Sequence, residues 1–189
     1  MKSWSIKMKL VGLCAALLTV LVTVALVEFR GTSLIVQNLN EVSSVHLPAV
    51  RNISLADMMH DGLRAVVYKA LYFSSSQDAA EKKSVADELD EFSKNIAAYV
   101  ETIEALPTPL HTKKAVAEVK PEIENYNKKT GEIVRLALSG RRDLAEAKMA
   151  EFNAAFTSLE AKLEVLGELI ETDSKNSQAA GQKNGDLYS

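Results

Sequence analysis

The stretch VAEVKPEIENYNKKTGEIVRLA, residues 116–137, decides the fold class of this chain. Its core-type residues are separated alternately by three and four positions, and they are Val116, Val119, Ile123, Tyr126, Thr130, Ile133 and Ala137. This alternation averages 3.5 residues, the period of helices that pack side by side in a left-handed supercoil. The stretch therefore predicts a long helix that packs on other long helices at a shallow angle.

The same period recurs in three other segments of the chain. It is regular from Val85 to Leu106 and from Ala145 to Ile170, and it is less regular from Leu55 to Phe73. Four helices that share one period are typical of a bundle. The sequence thus predicts an all-α fold built around four helices.

Short breaks separate the four predicted helices. Ser74–Asp78 offers N-cap residues, Pro107–Pro109 ends one helix and starts the next, and Ser139–Gly140 closes the third. The helices that follow are predicted at residues 30–75, 78–106, 110–139 and 141–181. Because all three connections are short, neighbouring helices must run antiparallel, in an up-down-up-down four-helix bundle. Pro48 predicts a kink or a restart inside the first helix, and Pro121 predicts a mild kink inside the third.

An uncharged run, LVGLCAALLTVLVTVALV at residues 10–27, precedes the bundle. Its length as a helix is about 27 Å, close to the ~30 Å hydrocarbon core of a membrane. Lys2, Lys7 and Lys9 precede it, so the positive-inside rule predicts a cytoplasmic segment 1–9, a transmembrane helix 10–29 and an external domain 30–189. A cleaved signal peptide is the alternative, but this run is longer than the usual 7–15-residue apolar core.

The composition disfavours several classes of function. The chain has one cysteine, three histidines and a formal net charge of −3. A disulfide framework needs more cysteines, and nucleic-acid binding needs a basic face. No nucleophile–base pair or phosphate-binding loop is apparent, so we expect neither an enzyme nor a nucleic-acid partner.

The layout resembles the N-terminal part of a bacterial chemoreceptor, a methyl-accepting chemotaxis protein with a four-helix-bundle periplasmic sensor. The most similar stretch is LADMMHDGLRAVVYKALYF, residues 55–73, in which Asp61 is followed by Leu63-Arg64. The resemblance implies a ligand-sensing domain in the periplasm, anchored in the inner membrane and forming a homodimer. It also implies that the sequence stops before a second transmembrane helix and lacks the output module.

The candidate ligand residues lie on the first bundle helix and at the far end of the bundle. A ridge of residues four apart consists of His60, Arg64, Tyr68 and Tyr72, and Arg135, Arg141 and Arg142 are expected to approach it. The resemblance implies that an amino acid or small organic anion binds there, between two copies of the first helix, and shifts the fourth helix. The alternative is that Arg64 only pairs with Asp61 and that both tyrosines are half-buried.

A histidine and a glycine of the first bundle helix also bear on function. His60 lies near Asp57 and Asp61, but no second such pair exists, so we predict an ordinary core or surface histidine, no metal site and no cofactor. Gly62 in mid-helix predicts a close helix–helix approach, for which the dimer interface is the candidate.

Two other functions stay open: a free-standing membrane-anchored interaction or adaptor protein, and a weaker one, a bundle that holds haem.

Overall fold

The computed structural model describes residues 6–186 of the 189-residue chain, with side chains described up to residue 182. Helices account for almost all of this range, and no strand occurs within it. The α-helices are α1 (Ile6–Glu41), α2 (Leu47–Tyr72), α3 (Ala79–Ala105), α4 (Leu110–Leu138), α5 (Arg142–Ala147) and α6 (Met149–Asp186). A π-helical turn, Val42–His46, precedes α2, and a 3₁₀ turn, Phe73–Ser75, follows it. The all-α prediction is confirmed.

The chain divides into two compact units. The larger unit, residues 43–174, is the bundle of α2, α3, α4, α5 and most of α6. The smaller unit holds α1 and the residues from 175 onward.

Contacts along each pair of neighbouring bundle helices show that they run antiparallel. Between α2 and α3, Lys69 pairs with Glu88, whereas the earlier Gly62 lies against the later Phe92. Between α3 and α4, the pairs Glu104–Lys120 and Ser93–Asn127 show the same reversal, since the later residue of α3 meets the earlier residue of α4. Between α4 and α6, the pairs Glu118–Lys162 and Lys129–Glu151 show it again. The up-down-up-down order is therefore confirmed.

The fourth side of the bundle closes between α2 and α6. His60 contacts Phe156, and Ile53 lies next to Gly167 further along α6. Tyr126 of α4 reaches across the interior to the backbone of His60. The four helices thus surround one core.

The core follows the predicted heptad positions most closely on α4. All seven residues of the predicted α4 stripe are buried. On α3, by contrast, Leu89, Phe92, Tyr99 and Leu106 are only partly buried. A helix whose stripe is half exposed packs at the edge of the core, so α4 is more deeply enclosed than α3.

The helix ends use the chemistry expected of their residues. Asp78 caps α3 by accepting hydrogen bonds from the backbone N–H groups of Ala80, at 2.7 Å, and Glu81, at 3.4 Å. Gly140 takes a φ of 77°, which allows Arg141 N–H to donate to the Leu136 carbonyl at 3.0 Å and end α4. The connections are thus fixed by local hydrogen bonds.

At Pro48 the structure shows the predicted restart, whereas after Gly140 it divides the predicted fourth helix. Pro48 lies in the first turn of α2, where its missing N–H is tolerated, so the helix restarts there after the π-helical turn. The predicted single helix 141–181 is instead α5 and α6, because Lys148 N–H turns back to the Ala145 carbonyl at 3.1 Å. The second of these helices also extends further than predicted, to Asp186. Pro121 lies within an uninterrupted α4.

The smaller unit contains the long apolar helix. No residue of α1 is buried, although its mean hydropathy is high enough for a membrane-spanning segment. One helix near the N-terminus is therefore long and apolar enough to cross a membrane. In the same unit Gly181 passes so close to Asn38 that a Cβ there would lie 2.9 Å from Asn38 Nδ2.

Candidate functional site

The predicted ridge of α2 turns from the core to the solvent along its length. His60 is buried, with 1% of its surface exposed, whereas Tyr68 is 53% and Tyr72 is 77% exposed. Four residues of an α-helix span about 40° more than one full turn, so a ridge of residues four apart rotates around the helix. His60 therefore belongs to the core, and Arg64, Tyr68 and Tyr72 form an exposed face. The tyrosines are more exposed than the half-buried state of the alternative interpretation.

Arg64 has two contacts of different kinds. Its guanidinium pairs with the Asp61 carboxylate at 3.1 Å, within the same helix. Its Cζ also lies 4.2 Å from the ring centroid of Phe156 on α6, a cation–π distance. The pair with Asp61 agrees with the alternative interpretation, while the contact with Phe156 connects this side chain to a second helix.

The three other predicted arginines lie on the surface around the end of α4. Arg135 is exposed in the last turn of α4, and Arg141 donates to Ser139 Oγ at 3.2 Å. Arg142 pairs with Glu146 at 2.7 Å within α5. Because α5 contacts both α2 and α4, these arginines lie around the same end of the bundle as Tyr72. Among the described residues, their own bonds run to sequence neighbours and do not join them to Arg64.

Beneath Arg64 lies a buried polar cluster that connects three helices. The imidazole of His60 stacks on Phe156 with ring centroids 4.0 Å apart, and its Nε2 lies 3.1 Å from the Phe156 carbonyl oxygen. Tyr126 Oη donates to the His60 carbonyl oxygen at 3.0 Å. Since the carbonyl can only accept, Nε2 of His60 carries a proton and donates.

Burial decides the charge of this cluster. Desolvation lowers the pKa of His60, opposed by its hydrogen bond to Phe156 and by the nearby Asp61 and Asp57 carboxylates. Burial also raises the pKa of the Tyr126 hydroxyl. Both side chains are therefore neutral near pH 7, and the interior of the bundle holds no charge here.

Two open grooves flank α2 nearer its beginning. The acidic groove, about 420 Å³, lies between α2 and α6, and its lining includes Ile53, Ser54, Asp57, Glu160, Glu164 and Gly167. The arginine groove, about 340 Å³, lies between α2 and α3, and its lining includes Leu47, Pro48, Arg51, Asn52, Leu55 and Tyr99. Sequence reasoning missed both grooves, because it did not consider Arg51 and weighed Asp57 only as a neighbour of His60. Only the neighbouring helix shows which side chains share a groove.

A metal site is a separate matter. Within residues 6–186, no three His, Cys, Asp or Glu side chains are grouped closely enough to hold a metal ion. The carboxylates of the acidic groove therefore form a charged surface rather than a coordination sphere.

Comparison with known protein families agrees with this architecture. Residues 3–188 match the model of a family described as a four helix bundle sensory module for signal transduction. The chain belongs to this family. The sensory module has a bundle at 43–174 and one helix that could cross a membrane, as expected for a membrane-anchored sensor. Searches of curated proteins and of solved structures found no significant match. The family is one of signalling modules rather than of enzymes.

Proposed function

We propose that this sensory module is the external ligand-sensing part of a chemoreceptor-like transmembrane signal transducer in a bacterial inner membrane. Its segment 1–9 would lie in the cytoplasm, residues 10–29 would cross the membrane, and the bundle would lie in the periplasm. The family match over residues 3–188 carries this proposal, since it places the whole chain in a signalling class.

The proposed ligand is an amino acid or a small organic anion, held at the exposed end of α2. Arg64, Tyr68 and Tyr72 supply a guanidinium and two phenols on one face, and Arg135, Arg141 and Arg142 add positive charge at that end. Guanidinium binds carboxylate through two parallel hydrogen bonds. Since Tyr68 and Tyr72 are large and solvent-exposed, a second copy of α2 is the proposed cover for the site, in a homodimer.

A signal would pass from this site to α6 through Arg64. Its guanidinium lies on the Phe156 ring, and Phe156 in turn contacts His60 through both its ring and its carbonyl oxygen. A ligand carboxylate that draws Arg64 outward would weaken the contact between α2 and α6. We propose that α6 is displaced relative to α2 as a result.

A thermal-shift experiment on the full chain in lipid nanodiscs tests the ligand. Amino acids and organic acids would be screened one by one, and each hit would be repeated with Arg64→Ala. A ligand at one hundred times its dissociation constant should stabilise the folded state by about 2.7 kcal/mol. Lys94→Ala is the matched control, because Lys94 also belongs to an exposed ion pair within one helix, with Asp90.

Each outcome bears on one part of the proposal. A hit lost in Arg64→Ala and kept in Lys94→Ala supports the site. A hit kept in both variants supports a sensor but overturns the site. The absence of any hit across the panel contradicts direct small-molecule sensing.

Disulfide cross-linking tests the homodimer. In a Cys14→Ser background, Tyr68→Cys should cross-link in membranes under mild oxidation, because the α2 faces of two copies would meet there. Lys94→Cys on α3 is the control and should not cross-link. Equal cross-linking at both positions would indicate random collision and would contradict an α2 interface.

A further inference from the structure

The arginine groove has the chemistry of a second binding site, independent of the exposed end of α2. Its volume of about 340 Å³ is at the small end of the range for ligand sites, about 300–1,000 Å³. Among the described residues, Arg51 is the only charged side chain that lines it. The groove therefore suits a small ligand with one negative charge.

Arg51 is available to such a ligand. It makes no ion pair with any residue in the described part of the chain, unlike Arg64 with Asp61 and Lys69 with Glu88. The sequence explains this difference, because the positions three and four residues away from Arg51 hold leucine, proline and serine and no carboxylate. An unpaired guanidinium retains all its N–H donors for an incoming carboxylate.

The rest of the lining is apolar or neutral. Leu47, Pro48 and Leu55 provide apolar surface, and Leu47 is 59% exposed. Asn52 Nδ2 donates to the Pro48 carbonyl at 2.7 Å, which fixes the amide and leaves its oxygen free to accept. Tyr99 lines the groove from α3.

We propose that the arginine groove binds a small monocarboxylate with an apolar body, whose carboxylate pairs with Arg51. The apolar body lies against Leu47 and Leu55, and the ligand bridges α2 and α3. The acidic groove on the other side of α2 lines a similar volume with three carboxylates, so it repels the same ligand. Binding in this groove needs only one copy of the chain and does not depend on the proposed site at Arg64.

Titration calorimetry on the full chain in nanodiscs tests this proposal with benzoate and 4-methylpentanoate as probes. Benzylamine and benzyl alcohol are the matched compounds, because they keep the ring and replace the carboxylate by a cation or a neutral group. We expect the carboxylates to bind and the other two not to bind. Arg51→Gln should weaken carboxylate binding about tenfold or more, since a charge-assisted hydrogen bond is lost.

Three variants locate the site. Arg51→Lys keeps the charge but lacks the planar fork, and should weaken binding less than Arg51→Gln does. Asp57→Asn in the acidic groove and Lys94→Ala on α3, whose exposed lysine pairs with Asp90, should leave carboxylate binding unchanged. Because Arg51 is exposed, Arg51→Gln should unfold at the temperature of the unchanged protein, which circular dichroism checks.

The results separate this proposal from the proposed function. Carboxylate binding that is lost in Arg64→Ala and kept in Arg51→Gln overturns the groove site and supports the other one. Binding of benzylamine as tight as that of benzoate, or no carboxylate binding at millimolar concentrations, overturns the groove site and leaves the sensor proposal intact. Nuclear Overhauser contacts from benzoate to the Leu47 and Leu55 methyl groups would place the ligand directly.

Discussion

The side of α2 that faces α3 and the side that faces α6 differ in packing and in charge. Toward α6, His60 and Phe156 form a buried stack, and the adjoining groove is lined by carboxylates. Toward α3, the partly buried Phe92 packs against Gly62, and the lining of the adjoining groove includes one arginine and no carboxylate. One helix thus contributes to an aromatic core contact on one side and to a shallower contact on the other. Stability should therefore depend more on the α6 side, and anion binding on the α3 side.

Truncation of one phenylalanine on each side gives the largest expected effect. Phe156→Ala removes a side chain that is 7% exposed and contacts both His60 and Arg64, so it should cost about 3–5 kcal/mol of unfolding free energy. Phe92→Ala should cost less, because Phe92 is only partly buried. Denaturant unfolding of both variants measures the difference. Equal losses would contradict the asymmetry between the two sides.

Glycine-to-alanine changes sharpen the same comparison. A Cβ on Gly62 would lie 2.9 Å from Phe92 Cδ2, so Gly62→Ala should destabilise the bundle by roughly 1–3 kcal/mol through overpacking. A Cβ on Gly167 would lie 3.8 Å from Ile53 Cγ1, an ordinary contact, so Gly167→Ala should stabilise by about 0.4–1 kcal/mol. Melting temperatures should move in opposite directions. A rise in melting temperature for Gly62→Ala would show that the Phe92 ring moves aside at little cost in free energy.

The buried histidine predicts a pH dependence on the α6 side. Since burial lowers the pKa of His60 below its ordinary 6.5, the unfolded chain binds this proton more readily than the folded one. The stability that the neutral His60 contributes is fully present above pH 6.5, and it is lost as the pH falls from there through the folded pKa. The unfolding free energy then changes by at most about 1.4 kcal/mol per pH unit. Unfolding measured between pH 7.5 and pH 5 should show a smaller slope in His60→Gln than in the unchanged protein. Identical slopes would mean that His60 charges without cost.

The smallest expected effect belongs to the ion pair on the α3 side. Lys69 Nζ lies 2.5 Å from Glu88 Oε1, and the hydrogen bond lowers the pKa of Glu88. Because both side chains are about one third exposed, Glu88→Gln should cost less than about 1 kcal/mol, and less still at high salt. The stability that the Lys69–Glu88 pair contributes is present above pH 4.5, the ordinary glutamate pKa, and is lost as the pH falls through the lowered pKa of Glu88. A double-mutant cycle with Lys69→Met measures it, and a cost that salt does not change would contradict a screened pair.

Gly62 also illustrates what the sequence leaves open. Its mid-helix position does mark a close approach, and within the chain the approaching residue is Phe92 of α3. The sequence indicates that space is needed, and only the packing of α3 on α2 shows which residue fills it.

The sequence by itself determined the all-α class, the four bundle helices and the buried stripe of α4. These features repeat every three or four residues, and such a period is a local property of the chain that persists in any bundle. It also determined the apolar helix near the N-terminus, because eighteen uncharged residues need no tertiary context to be recognised.

Only the tertiary structure decided which residues of different helices are in contact. The Arg64–Phe156 contact, the His60 stack and the two grooves join residues that lie far apart in the chain. Their geometry depends on how each helix is rotated and shifted against its neighbour, and many combinations of rotation and shift satisfy the same stripe of core residues. A heptad pattern fixes which face of a helix is buried, whereas the partners of its flanking residues depend on the packing of whole helices.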